Sequence, residues 1–212
     1  MPQRLTLNGI RFAVLCILTA ASLALLSQGQ DVPIAAISKD DSSFKFFVKS
    51  SIPVSGTFDK WDATLTFTSS DVTTAVLDIK IQADSVNTGS DLKNKTMKGK
   101  DYFDVKHDPI IAFHSTKITQ TGPLTFDVDG DFTIHGVTKS EKLSLVLTVK
   151  DREDAEIKGT MFFDRKEYGM DKNIPFVTVA DRIEVIDDLK VKKVSGPRLV
   201  FKQQPDLPAP QP

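Results

Sequence analysis

The stretch LTFDVDGDFTIHGVTK, residues 124–139, decides the fold. Leu124, Phe126, Val128, Phe132 and Ile134 share one parity, and Asp127, Asp129, Asp131 and Thr133 hold the other. Such alternation makes one face of a strand dry and the other wet. Gly136 to Ser140 then forms a turn cluster, after which Leu143, Leu145 and Leu147 take up the alternation again. A run, a short polar turn and a second run predict an antiparallel hairpin.

The period of two continues outward in both directions. Toward the N-terminus it is carried by Phe44, Phe46 and Val48, by Leu65 and Phe67, by Leu77, Ile79 and Ile81, and by Ile111 and Phe113. Toward the C-terminus it passes through Ile157, Met161 and Phe163 to Val177, Val179, Ile183 and Val185. Gln120–Pro123 and the charged tip Asp151–Asp154 punctuate the runs. Asp91 to Lys98 breaks the period and predicts a short helix, N-capped by Ser90 or Asp91 and ended by Gly99. The whole predicts an all-β domain of about eight or nine antiparallel strands, each dry on one face. A closed barrel and a two-sheet sandwich both satisfy that pattern.

The ends of the chain read differently. Arg4 and Arg11 precede an apolar run from Phe12 to Leu26, broken by Thr19 and Ser22 and followed by Ser27, Gln28 and Gly29. The run is shorter than the ~18–20 residues of a membrane span, and the order of residue types is that of a secretory leader over residues 1–27. The expected location is therefore periplasmic or secreted. The single Cys16 lies inside the leader with Leu15 before it, so neither a lipid anchor nor a disulfide is expected. Without Arg4 and Arg11 the chain carries 25 basic and 28 acidic residues and no basic block, which argues against nucleic acid as a partner. Gly196-Pro197 and four prolines within residues 203–212 predict an extended tail over 196–212.

Five strings are more specific than periodicity. They are Gly56-Thr57-Phe58, Asp101-Tyr102-Phe103-Asp104-Val105, Pro109-Ile110-Ile111-Ala112-Phe113-His114-Ser115-Thr116, the Gly130–Lys139 segment, and Asp164-Arg165-Lys166-Glu167-Tyr168-Gly169-Met170. In order and spacing the sequence from Ser38 to Lys193 resembles the YceI-like family. The resemblance implies a domain over 38–193 with an eight-stranded, antiparallel, lipocalin-like barrel around an elongated cavity. It further implies a long-chain amphiphile as ligand, such as an isoprenoid quinone or a fatty-acid derivative, an exported protein, and a homodimer in many members. One family string, Arg-Asp-x-His-Leu, is altered: Lys93, Asn94, Thr96 and Met97 stand at the matching positions, and the His is missing.

Candidate ligand-lining residues follow from the dry parity and from that resemblance. They are Phe44, Phe46, Trp61, Phe67, Leu77, Ile79, Phe103, Phe113, Phe126, Phe132, Ile134, Leu145, Phe163 and Arg165. The competing reading of the apolar set is a packed core, since an eight-stranded barrel is just wide enough either to be filled or to hold one ligand. Arg165 shares the parity of Phe163, and an inward Arg needs a partner, either an acidic side chain or a ligand head group. Trp61, beside Asp59 and Asp62, either lines or plugs one end or packs on the surface.

Other chemistries find less support. His114 and His135 follow inward residues and so face outward, and His107 lies before a strand, which predicts no metal site. Asp127, Asp129 and Asp131 lack the Gly and Glu positions of a calcium loop. Ser115 and His114 are strand neighbours on opposite faces, unsuited to proton relay. No cofactor and no enzymatic activity are expected. The sequence thus favours an exported carrier or scavenger of a long-chain amphiphile. Its alternative is a protein-binding module, related to envelope stress, with a packed barrel and no ligand.

Overall fold

The structure is a computed structural model, and it describes residues 32–51, 53–172 and 178–203. The proposed leader, Val177 and the last nine residues of the tail lie outside these.

The quoted stretch forms the predicted hairpin. β7 (Thr125–Ile134) and β8 (Val137–Val149) pair from Ile134↔Val137 to Thr125↔Val146. Their turn is His135-Gly136, with φ of 53° and 69°. Positive φ at both central residues matches the right-handed twist of the strands, and the second position suits glycine. Phe126, Val128, Phe132 and Ile134 are buried, while Leu124 is half-buried.

Ten ladder segments make one antiparallel sheet. The others are β1 (Ile34–Ser50), β2 (Val54–Phe58), β3 (Trp61–Phe67), β4 (Ala75–Gln82), β5 (Val86–Asn87), β6 (Ile110–Gly122), β9 (Asp154–Asp164) and β10 (Val179–Ser195). Their order is β3-β4-β6-β7-β8-β9-β10-β1-β2-β5. β2 and β3 are one chain bent at Asp59-Lys60, and β4 and β5 are one chain bent at Ala83–Ser85. Across both bends the ladder persists, through Gln82 N–H to Lys60 O at 2.9 Å and Asp59 N–H to Ser85 O at 3.2 Å. The two ends of the sheet therefore belong to the same bent hairpin. Counted this way the ten segments are eight staves of a curled barrel, which resolves the choice that periodicity left open. Closure of this kind removes most of the free edge that an open sheet presents.

α1 (Asp91–Met97) is the single α-helix among the described residues, and it occupies the predicted excursion. Ser90 stands at its N-cap, but its side chain makes no capping bond. The local anchor is instead Asn94, whose Oδ1 accepts from the backbone N–H and the hydroxyl of Thr88 at 2.8 and 2.7 Å.

The interior divides along its length. Phe67, Leu77, Phe126, Val128, Leu145, Leu189 and Val191 pack one end. Residues 196–203, expected to begin a free tail, close that end. Val72 N–H donates to Val200 O, Val200 N–H to Ser70 O, and Phe201 lies 6.3 Å from Phe126 between ring centroids. The reason is hydrophobic: Leu199 and Phe201 are partly buried against the core. No helix among the described residues is long and apolar enough to cross a membrane.

Candidate functional site

At the other end the barrel is not filled. A cavity of about 310 Å³ opens there, walled by strand residues of the predicted dry parity. Phe44, Phe46 and Val48 of β1, with their ladder neighbours Ile183 and Val185 of β10, share its wall with Phe132 and Ile134 of β7 and Phe163 of β9. Leu92, Lys93, Thr96, Met97, Tyr102 and Phe103, from α1 and the segment after it, line its mouth. Phe103 is wedged against Phe46 and Phe58, with ring centroids at 6.2 and 5.7 Å. Leu92 is the most exposed large apolar side chain among the described residues, at 77%.

A smaller chamber of about 30 Å³ continues inward. It shares Phe44, Ile81, Ile111, Phe132 and Val185 with the larger cavity. Asp187 of β10 lines this chamber and is 2% exposed. Burial pushes its carboxyl up to about 7, its own backbone N–H works against the shift, and neighbouring Asp188 adds to it. Gly159, opposite Asp187 in the β9–β10 ladder, makes the room: a Cβ there would collide with the Asp187 carboxyl.

Arg165 lines the rim and is 3% exposed. Its guanidinium donates to the carbonyls of Met170, Lys172 (3.3 Å) and Ala180 (3.3 Å) and to Asp181 Oδ1 (3.1 Å). It is thus paired within the protein, and it ties the 165–172 turn to the start of β10. Lys166, and then Arg165, hold the Asp181 carboxyl below its ordinary value. Burial raises the phenol of Tyr102, against the pull of Arg165.

Beneath the rim, Tyr168 is fully buried, edge-on to Phe132 and Phe163 at 5.6 and 5.3 Å. Its hydroxyl donates to Glu141 Oε1 at 2.8 Å. His135 lies at 2.8 Å from Tyr168 O and 2.9 Å from Lys100 O, so it joins the two loops beside the mouth.

Of the fourteen candidate residues, Phe44, Phe46, Phe103, Phe132, Ile134, Phe163 and Arg165 line the cavity. Ile79 and Phe113 line the inner chamber, together with Phe44 and Phe132. Phe67, Leu77, Phe126 and Leu145 are buried in the packed end. Trp61 lines neither space and packs edge-on against Phe44 at 4.9 Å. Parity tells which face a residue takes but not how far along the barrel it lies, so these five were grouped with the lining. Asp187 was missed although its parity is that of Ile183, Val185, Leu189 and Val191. The helical wall was missed because a seven-residue helix is too short for a readable periodicity.

The histidines do not converge. His107 pairs with Asp104 at 2.9 Å and His114 with Asp78 at 2.6 Å, both on the surface. No group of three metal-ligating side chains stands together among the described residues.

A closed antiparallel sheet, packed at one end and hollow at the other, with a helix at the mouth, is a lipocalin-like barrel. The family model of the YceI-like domain matches residues 36–191, and the chain belongs to that family. The UPF0312 protein of Pseudomonas savastanoi pv. phaseolicola (strain 1448A / Race 6) is 34% identical over 125 residues, which cover 57% of this chain and 65% of that one. The UPF0312 protein of Pseudomonas fluorescens (strain SBW25) is 32% identical over 126 residues, with the same coverage. The chain thus matches just under two thirds of the length of these relatives. Among solved structures, Burkholderia cenocepacia BcnA shares the fold at a TM-score of 0.67 and 21% identity, covering 73% of this chain and 99% of that one. A polyisoprenoid binding domain from Saccharophagus degradans, implicated in plant cell wall breakdown, does so at 0.59 and 13%, covering 76% and 99%.

Proposed function

We propose that this protein is an exported carrier or scavenger that shelters the chain of a long amphiphile inside its barrel. The observation that carries the reading is the cavity of about 310 Å³ with an almost wholly hydrocarbon wall. A packed interior, as a purely protein-binding module requires, has no such space. Its size falls at the lower edge of the ~300–1,000 Å³ usual for ligand pockets, so a long cargo is enclosed in part and extends through the mouth. Each methylene taken out of water contributes ~0.8 kcal/mol, and the lining selects for an apolar chain more than for a head group. The binding of a polyisoprenoid by the S. degradans domain supports the same class of ligand here. The leader-like residues 1–27 support export.

The test is mass spectrometry of an organic extract from the full-length protein purified from its native host. A stoichiometric isoprenoid or acyl lipid is expected, and the emission of Trp61, through its contact with Phe44, is expected to change when lipid is stripped and restored. No co-purifying lipid and no spectral change on titration with isoprenoids would refute the reading.

A further inference from the structure

The inner chamber has a chemistry that a tail-binding cavity does not need. Hydrocarbon groups of seven strands face it, Phe44, Ile79, Phe113, Phe132, Leu143 and Met161 among them. Asp187 is the one charged or titratable residue in its wall. The carboxyl oxygen Oδ2 is buried and has no hydrogen-bond partner among the described residues. The charged group that acts on it is Asp188, the next residue on the same strand, and among the described residues no cation is seen to compensate it. A polar atom buried in this way costs free energy unless something completes its hydrogen bonding.

Resting on the carrier reading, we propose that Asp187 forms a polar subsite at the inner end of the cavity, which receives a neutral oxygen, a carbonyl or a hydroxyl, borne on the cargo chain. The chamber's size, about 30 Å³, admits one small group and excludes a ring. A phosphate or carboxylate is excluded as well, because among the described residues no cation lines the chamber to meet it. Anionic head groups stay at the mouth. The neutral carboxyl donates its O–H to the incoming oxygen. With the group held at about 7, this donor is present in acid and lost in mild alkali.

The experiment uses the full chain stripped of lipid and two probes of one carbon skeleton: farnesylacetone, an isoprenoid methyl ketone that only accepts hydrogen bonds, and 2,6,10-trimethylpentadeca-2,6,10-triene, the hydrocarbon in which a methylene replaces its carbonyl. Affinities are measured at pH 5.5 and pH 8.5 for the wild type, D187N and D187L. The expected result is a preference for the ketone of ~5–10-fold at pH 5.5 in the wild type, the range one hydrogen bond supplies. That preference should fall toward unity at pH 8.5. D187N, whose amide donates at either pH, should keep the preference and lose the pH dependence. D187L should bind the two probes alike while retaining affinity for the hydrocarbon, which also reports that it folds. Equal binding of ketone and hydrocarbon by the wild type at pH 5.5 means that the chamber holds water or nothing, and overturns the subsite while leaving the carrier reading intact. A preference that survives D187L overturns it too. Failure of the wild type to bind either probe overturns the carrier reading itself.

Discussion

Replacing Asp187 with Asn tests the electrostatics of the barrel floor. In the unfolded chain this carboxyl ionises near 3.8, and in the folded barrel near 7, because burial disfavours the charged form. Below about pH 4 it is protonated in both states and adds no ionisation penalty. Between about 4 and 7 the unfolded chain releases the proton while the fold retains it, so stability falls as pH rises. Above about 7 the full penalty stands. At roughly 1.4 kcal/mol per pH unit it amounts to about 4 kcal/mol. Asn is neutral throughout, and whatever its buried N–H groups cost does not vary with pH. The stability of D187N minus that of the wild type should therefore rise by about 4 kcal/mol between pH 4 and pH 8, or roughly 10 °C in melting temperature for a domain of this size. Urea unfolding of both proteins across that range measures the difference and cancels every other titration. A difference that stays flat with pH would refute the reasoning, and would mean that the carboxyl is solvated in the folded state.

Four further outcomes are expected. Ile183→Trp, on the cavity wall, should reduce isoprenoid binding at least tenfold by occupying the space; its own cost in stability should not exceed ~1–3 kcal/mol, as read by ligand titration and urea unfolding. Deleting the residues after Arg198 removes the packing of Leu199 and Phe201, and should destabilise the barrel by ~2–3 kcal/mol and speed proteolysis at the packed end. Tyr168→Phe leaves Glu141 without its donor and should cost ~1 kcal/mol by thermal unfolding, with ligand affinity little changed. Glu156 is held at about 2 by Lys190, Lys158 and Lys150, so the stabilisation it brings is present above its ordinary value of 4.5 and is lost as pH falls through about 2. Glu156→Gln should be less stable than the wild type at pH 6, less so in high salt, and equal to it in strong acid.

The fold was readable because a barrel writes its inner face in a period of two, and Phe126 to Ile134 display it without interruption. The hairpin's bends at Asp59-Lys60 and Ala83–Ser85 were not readable. Each falls between runs that alternate correctly on their own, so one bent stave looks like two strands. The tail was misjudged for a compositional reason: the prolines after Gln203 drew attention from Leu199 and Phe201, which are merely two apolar residues until a barrel end is there to receive them. Half of the site was legible because lining and core obey the same parity. Where the hollow begins depends on volumes summed across seven strands, and no single strand carries that information. Asp187 shows the converse, since its position was legible but a charge on the dry face ran against the rule used to read it.

The pairing of β1 with β10 has a consequence in time. Ile34 meets Ser195 and Val48 meets Ile183, so the first stave finds one neighbour among the last residues of the domain. Contacts between such distant segments carry the full entropy of closing the intervening loop and are made late. The meander from β6 to β9 can zip locally as each hairpin emerges, while β1 waits. A nascent chain therefore lacks a finished barrel until nearly all of it has been synthesised. Delay of that kind keeps the polypeptide threadable, and it leaves the hydrocarbon interior to be assembled only when both termini are present.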